Sequence, residues 1–276
     1  MSKLEPTIRL RVDPTNPGQF FACCGLLELA ARRTAGAETL PSAEGWFASH
    51  DCEFAIAASC SLDELIRDVC VAEMTLLDSD DIYSGRIRIG TPFRPFVLDW
   101  WHESGGKPEA KDLKVWAGTM ESYGIARAMQ HAMRDPKFLL PGLFDVGLIA
   151  YDPNDATKKK EPFYFDARRG PNAHSRDVGF SPNDLALTTT AFPAVELLCL
   201  IGLQRCLPAR TDEIRIYDYF TWSEALPPSL LPAAVTGQLP HFGARRYRFE
   251  NWFRTGQKKH KAFRSATPLS SRGSNE

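Results

Sequence analysis

Near the start of the chain apolar and polar positions alternate, with Ile8, Leu10 and Val12 standing against Thr7, Arg9 and Arg11. A period of two is the mark of a strand with one buried face. Asp13-Pro14-Thr15-Asn16-Pro17-Gly18 ends the alternation, and Asn16 followed by Pro17 supplies an N-cap and a first-turn proline. The spacing then shifts to three and four, with Phe20, Cys23, Cys24, Leu27 and Ala31 on one stripe. This predicts a helix over 17–33 packed on a sheet, with Gly25 open to close approach by another backbone.

The same two periods recur downstream. A Gly- and Pro-dotted connection runs through Trp46 to a short strand over 53–58, and Ser61 with Glu64 forms a capping box that opens a helix from Leu62 to about Leu76. Strands over 82–89 and 93–101 pair through Gly90-Thr91-Pro92 and project Arg86, Arg88 and Arg94 from one hairpin, either a secondary basic surface or a solvated face. A helix over 111–131, a strand over 144–151 and a short strand at Phe163-Tyr164-Phe165 come next. Phe192 to Leu207, with Pro193 in the first turn and Pro208 past the end, predicts a second central helix, and Ile214 to Trp222 a strand.

Both long helices begin with proline and carry cysteine and then Gly-Leu about two turns later, in CCGLL and CLIGL. The fold expected is therefore α+β: mixed, mostly antiparallel sheets with packed helices, arranged as two related ferredoxin-like lobes. Asp152-Pro153-Asn154 and Lys158-Lys159-Lys160-Glu161-Pro162 mark the division. It leaves an N-terminal lobe over 1–152, a C-terminal lobe over 162–268 with a basic aromatic tail, and a disordered end over 269–276.

Composition narrows the class. With 276 residues, 43% of them hydrophobic, the chain can bury a full core. No apolar stretch reaches about 18 residues and no basic segment leads into an early apolar run, so a cytoplasmic protein without a membrane partner is expected. Seven cysteines with no close Cys-x-x-Cys pair fit a reducing compartment better than a disulfide frame. The net charge of −1 conceals a segregation. Arg67 is the one Lys or Arg between Glu44 and Ile82, a stretch rich in Asp and Glu, whereas the C-terminal tail is strongly basic.

In that tail Arg245, Arg246, Arg248, Arg254, Lys258, Lys259, Lys261 and Arg264 face a single acid, Glu250, and are interleaved with Tyr247, Phe249, Trp252, Phe253 and Phe263. Phosphate-pairing cations and flat stacking surfaces from one segment are what single-stranded nucleic acid requires; the competing reading is a solvated basic face with its rings in the core. Tyr247, Trp252 and Phe253 are the candidate stacking platforms. A second stretch, FYFDARRGPNAHSRDVGFSPND, offers Arg168, Arg169, Asn172 and Arg176 as a phosphate clamp, or else an ordered loop held by its own Asp–Arg pairs.

Catalytic signatures are missing: there is no phosphate-binding G-x-x-x-x-G-K-[ST], no G-x-G-x-x-G, no G-x-S-x-G, no H-E-x-x-H and no paired zinc-ligand spacing. No catalytic residue, metal or cofactor is expected. The alternative is a metal-independent ribonuclease using His174 and His260, the two histidines flanked by basic residues, to move a 2′-hydroxyl proton. A protein-only scaffold whose tail docks on an acidic neighbour is a third reading.

Four blocks, DPTNPGQFFACCGLLELAARR, FDARRGPNAHSRDVGFSPND, FPAVELLCLIGLQRCLP and YRFENWF with KKHKAF, together resemble a CRISPR-associated family of the type I-U (also called I-G) effector locus, more narrowly its short large-subunit-like members. The similarity extends from about Thr7 to Pro268 without one diagnostic motif. It implies a non-catalytic subunit of a crRNA-guided surveillance (Cascade) complex in antiviral defence. Its partners would be crRNA, target DNA, the backbone and crRNA-processing subunits and a separate helicase-nuclease. Such large subunits hold the 5′ region of the crRNA and help recognise the protospacer-adjacent motif.

Overall fold

The computed structural model describes residues 4–34, 42–78, 80, 85–99, 103–104, 107–108, 121–169, 190–213, 215–239, 243–253 and 260–269, with 103–104, 107–108, 253, 260 and 261 described by backbone alone. The first part of the chain runs β1 (Ile8–Arg11), α1 (Pro17–Arg32), β2 (Glu44–Ala48), β3 (Glu53–Ala57), α2 (Leu62–Val71), β4 (Met74–Leu76), β5 (Ile87–Ile89) and β6 (Phe96–Leu98). A small hairpin, β7 (Glu103–Ser104) with β8 (Lys107–Pro108), is followed by α3 (Ser122–Ala132), a second hairpin of β9 (Tyr151–Asp152) and β10 (Asp155–Lys159), and α4 (Pro193–Gly202). The last part comprises β11 (Ala209–Arg210), β12 (Ile216–Phe220), α5 (Leu231–Val235), β13 (Arg246–Phe253), β14 (His260–Phe263) and β15 (Thr267–Leu269). Each strand pairing among the described residues is antiparallel, in the α+β class expected. No described helix is long and apolar enough to cross a membrane.

Helix α1 starts where Asn16 and Pro17 place it, the Asn16 Oδ1 accepting the Gly18 N–H at 3.1 Å. It is buried on almost all sides from Pro17 to Ala30, so it is a central helix, with α4 across it. The two backbones touch. A Cβ added to Gly25 would lie 2.0 Å from the Leu198 carbonyl oxygen, and one added to Gly202 would lie 2.0 Å from that of Phe21. The two positions that echo each other in sequence thus face each other in space, and the crossing tolerates no side chain at either.

Around this crossing the main hydrophobic cluster draws on both halves of the chain, and Tyr164 with Ala262 makes a small second one. Phe20 stacks on Tyr219 at 4.3 Å and on Phe47 at 5.5 Å, and the Trp222 indole N–H donates to the Gly45 carbonyl at 2.7 Å. Strand β2 adds backbone bonds to the second half, Phe47 N to Trp222 O at 2.8 Å and Gly45 N to Leu226 O at 3.0 Å. At the expected boundary the chain forms the β9–β10 hairpin, with Lys160 3.3 Å from Asp152.

Several local expectations change for tertiary reasons. The capping box opens α2 as expected, but the helix stops at Val71 and Met74–Leu76 becomes β4, burying Met74 and Ile89 across the β4–β5 ladder. Residues 44–48, read as connection, form β2 because β3 offers a ladder edge. Over 144–151 a helical turn at Leu143–Asp145 takes the start of the expected strand, and the rest is irregular, with a single antiparallel bridge from Leu148 to Ala191 before β9 begins at Tyr151. The helix over 111–131 is described only as α3, since 109–120 lie outside the described residues. The order β1, α1, β2, β3, α2 with sheet order β1-β3-β2 opens a ferredoxin-like unit, but β4 joins β5 in a separate sheet.

Phe163-Tyr164-Phe165 is buried but is not a strand, and Tyr164 adopts a φ of 62°. The first turns of both central helices pin the end of this segment and the two residues after it. Asn16 accepts from Ala167 N at 3.1 Å and donates to Asp166 at 3.0 Å, while Glu196 in α4 accepts from Phe165 N at 3.2 Å and Asp166 N at 3.1 Å. Glu196 is fully buried. Burial pushes its carboxyl up to about 8 and the Asp166 carboxylate adds to this, against the pull of the backbone N–H groups of Asp166, Phe165 and Phe163.

Two measurements test this account of the core. Gly202→Ala or Gly25→Ala should lower unfolding free energy by about 3 kcal/mol or more in urea titrations, because the added methyl meets main chain. Gly142→Ala is the control: nothing lies within 4 Å and its φ is −90°, so stability should hold or rise by up to about 1 kcal/mol. Because the folded Glu196 pKa lies above its unfolded value, its contribution is complete below about 4.5 and is lost as pH rises toward about 8. The urea midpoint of the wild type should therefore fall between pH 5 and pH 8 by more than that of Glu196→Gln, which is less stable than the wild type at pH 5 but lacks the added slope.

Candidate nucleic-acid interface

Strand β13 sorts the basic aromatic tail by the period of the strand. Tyr247, Phe249 and Asn251 point into the core, at 4%, 2% and 1% exposure, while Arg246, Arg248, Glu250 and Trp252 occupy the opposite face. Phe249 packs on Phe263 at 5.1 Å and Tyr247 stacks on Tyr219 at 5.4 Å. Tyr247 therefore offers no open ring as a stacking platform, and its hydroxyl donates to Asp51 at 2.9 Å. Alternate residues on the outer face stand roughly 6.8 Å apart, a regular row of polar and aromatic groups.

The row is held by carboxylates. Asp218 lies opposite Arg248 across the β12–β13 ladder and is almost fully covered. It accepts from Arg248 Nε at 2.8 Å and Nη2 at 3.1 Å, from Arg246 Nε at 2.9 Å, and also from Arg246 Nη2. Burial pushes the Asp218 carboxyl up, but the hydrogen bonds from Arg248 and Arg246 outweigh it and hold the group below its ordinary value. Asp218 thus remains ionised and fixes two guanidinium groups whose outer edges still face solvent. At the far end of β13, Arg264 pairs with Glu250 at 3.2 Å and its guanidinium lies over the Trp252 ring at 4.6 Å. Arg245, in front of the strand, stands 3.7 Å from Asp51.

Four guanidinium groups, of Arg245, Arg246, Arg248 and Arg264, thus meet three carboxylates, of Asp51, Asp218 and Glu250, and Glu213 also acts on Arg248, so acids match the arginines in the described part of this face. Exposed ion pairs contribute about 0–1 kcal/mol, so Arg264, about half exposed and paired with the part-exposed Glu250, can exchange its carboxylate for a phosphate at little loss. Arg245 is also about half exposed, but its partner Asp51 is buried and keeps only the Tyr247 hydroxyl if Arg245 leaves. Arg246 and Arg248 are held likewise, since Asp218 is buried and leaving it unpaired is costly. They act as oriented, partly neutralised donors.

The second expected cationic stretch has another role. Arg168 grips Asp166 with two bonds, Nε to Oδ1 at 2.9 Å and Nη2 to Oδ2 at 2.6 Å. It also donates to Asp145 at 3.2 Å and to the Phe144 carbonyl at 2.6 Å, and lies 3.5 Å over the Phe192 ring. Arg168 accordingly braces the segment that Asn16 and Glu196 hold, as in the Asp–Arg reading of this stretch. Arg169 is half-buried next to it, its backbone N–H bonded to the Asp166 carbonyl at 2.9 Å. Asn172, His174 and Arg176 lie outside the described residues, as do Arg254, Lys258 and Lys259; Phe253, His260 and Lys261 are placed by backbone only.

On the hairpin expected to carry a secondary basic surface, Arg86 is paired with Asp78 at 2.9 Å and Arg94 reaches the Ala31 carbonyl, while Arg88 is exposed on β5. The acidic N-terminal stretch and the basic positions also meet inside the fold, through Asp51 with Arg245 and Asp68 with Arg33. Asp218 is the organising residue that reading the tail alone missed. Its signal was present in β12, where inward Tyr217 and Tyr219 leave Asp218 on the face that β13 covers with arginine. Comparison with known proteins adds no relative: no family model, curated protein or solved structure matches this chain.

Proposed function

We propose that this chain is a non-catalytic subunit of a crRNA-guided type I CRISPR surveillance complex that contacts the backbone of crRNA or target DNA and assists recognition of the protospacer-adjacent motif. The observation that carries the binding role is the one-sided row on β13, in which Arg246 and Arg248 are oriented by Asp218 and Arg264 lies over Trp252. Oriented guanidinium groups beside an indole suit a phosphate chain with a base against the ring. The resemblance of the four sequence blocks supplies the assembly: base pairing chooses the sequence, and the protein contributes part of a cationic channel. A described face on which acids match the arginines favours one wall of a composite channel over a self-sufficient binder.

The test is co-expression with the neighbouring effector subunits, purification, and sequencing of bound RNA, together with salt titrations of target binding. Recovery of crRNA is expected; an assembly that forms unchanged after nuclease treatment and never contains RNA would favour the protein-only scaffold. Asp218→Asn should tighten binding by removing the internal competitor. Arg246→Gln with Arg248→Gln in the Asp218→Asn background, which avoids a buried unpaired carboxylate, should reduce the magnitude of the slope of log K against log salt by about 1.4 for two lost single-strand phosphate contacts. An unchanged slope and affinity in that triple variant would falsify the assignment of this face.

A further inference from the structure

The glycine crossing creates a second constellation, separate from the β13 face. Glu28 lies three residues beyond Gly25 and Arg205 three beyond Gly202, and they meet across the helix pair, Arg205 Nε to Glu28 Oε2 at 2.6 Å and Nη2 to Oε1 at 3.1 Å. Arg32, one turn further along α1, donates its Nε to Glu28 Oε1 at 2.5 Å. Glu28 is 7% exposed. Burial pushes its carboxyl up, but the bonds from Arg205 and Arg32 outweigh this and hold it below its ordinary value, so it stays ionised and fixes both guanidinium groups.

A third arginine arrives from a different element. Arg94, between β5 and β6, is tied to the end of α1 by its backbone N–H to the Arg32 carbonyl at 2.8 Å and by its Nη2 to the Ala31 carbonyl at 2.9 Å. Arg32, Arg94 and Arg205 line one cleft of about 380 Å³, together with Pro227 and Pro228. That volume is within the range of small-ligand sites, roughly 300–1,000 Å³. Three cations in the lining stand against the carboxylates of Glu28 and Glu44.

An Arg–Glu–Arg triad, as a structural device, accounts for Arg32 and Arg205. It accounts neither for Arg94, whose guanidinium binds main chain, nor for the open cleft that all three share. Each guanidinium carries five N–H donors in a planar fork. Glu28 takes the Nε of Arg32 and one edge of Arg205, and the Ala31 carbonyl takes one Nη of Arg94, which leaves the outer donors of three forks around one volume. A planar carboxylate is matched by a single fork, whereas donors from three elements suit the several oxygens of a tetrahedral dianion.

We propose that this cleft binds a phosphate monoester, with the phosphate on Arg32, Arg94 and Arg205 and the body of the ligand against Pro227 and Pro228. The group is supplied either by a free mononucleotide-sized metabolite or by the terminal phosphate of a strand. The full-length chain should be titrated calorimetrically with inorganic phosphate, adenosine monophosphate, adenosine, and a short single strand with either a 5′-phosphate or a 5′-hydroxyl. Inorganic phosphate and the monophosphate should bind and adenosine should not. Arg94→Ala should weaken monophosphate binding tenfold or more while leaving the thermal midpoint nearly unchanged, since Arg94 is exposed, and Arg205→Lys, which keeps the charge but loses the fork, should weaken it as well. A strand that binds more tightly than the monophosphate only when 5′-phosphorylated identifies the strand end as the source; equal or tighter binding of the monophosphate identifies the small molecule. The triple β13 variant should bind the monophosphate like wild type, which keeps this site distinct from the nucleic-acid face. The proposal is overturned if neither phosphate compound binds at millimolar concentration, or if Arg94→Ala and Arg205→Lys bind them like wild type.

Discussion

Backbone contact between α1 and α4 at Gly25 and Gly202 is the constraint on which the rest of the molecule depends. Facing helices ordinarily stand 8–10 Å apart, according to the side chains between them, and glycine on both sides removes that spacer. One turn before the crossing, Phe20 and Phe21 then reach Tyr219 and the other rings of the second half. At the helix starts, Asn16 and Glu196 converge on the same buried segment at Phe165 to Ala167. One turn beyond, Glu28 meets Arg205. Both halves of the chain in this way share the main hydrophobic cluster, and two polar sites are positioned by one apolar contact.

Charge in this protein is organised by buried or half-buried acids. Asp218 holds Arg246 and Arg248, Glu28 holds Arg32 and Arg205, and Asp166 holds Arg168. Asp218 and Glu28 are removed from water and remain ionised because guanidinium groups donate to them, and in all three clusters the arginines lose rotamer freedom before any ligand arrives. The difference between these clusters lies in what remains outside. Arg168 is consumed by Asp166, Asp145, the Phe144 carbonyl and the Phe192 ring, whereas the pairs at Asp218 and Glu28 keep donors directed away from their acid. Counting basic residues along the chain does not separate a brace from a binder; the position of the nearest carboxylate does.

Much of the local architecture was legible in the sequence. The alternation in β1, the Asn16-Pro17 start of α1, the Ser61–Glu64 capping box, the proline-led α4 and the pairing of β5 with β6 all stem from short-range pattern and capping chemistry. Gly25 was readable as a site of close approach, though not its partner. Other elements went astray because their conformation is set by distant residues. Met74–Leu76 leaves the helical pattern to pair with β5, residues 44–48 become a strand on the edge of β3, and Tyr164 takes a left-handed backbone in a segment clasped by two helix starts.

For the candidate site, sequence by itself determined the inventory: a tail in which cations alternate with rings, and an arginine-rich stretch after Phe165. Only the tertiary structure decided their use. Strand geometry turns Tyr247 and Phe249 inward and Arg246, Arg248 and Trp252 outward, and β12 places Asp218 beneath the arginines. The arginine cleft had no linear signature at all, because Arg32, Arg94 and Arg205 come from three separate regions of the chain and share a volume only through the helix crossing and the bonds of Arg94 to the end of α1. Periodicity reports which face of an element is buried, but it carries no information about which distant element covers that face, and that pairing settles where charge and cavity are found.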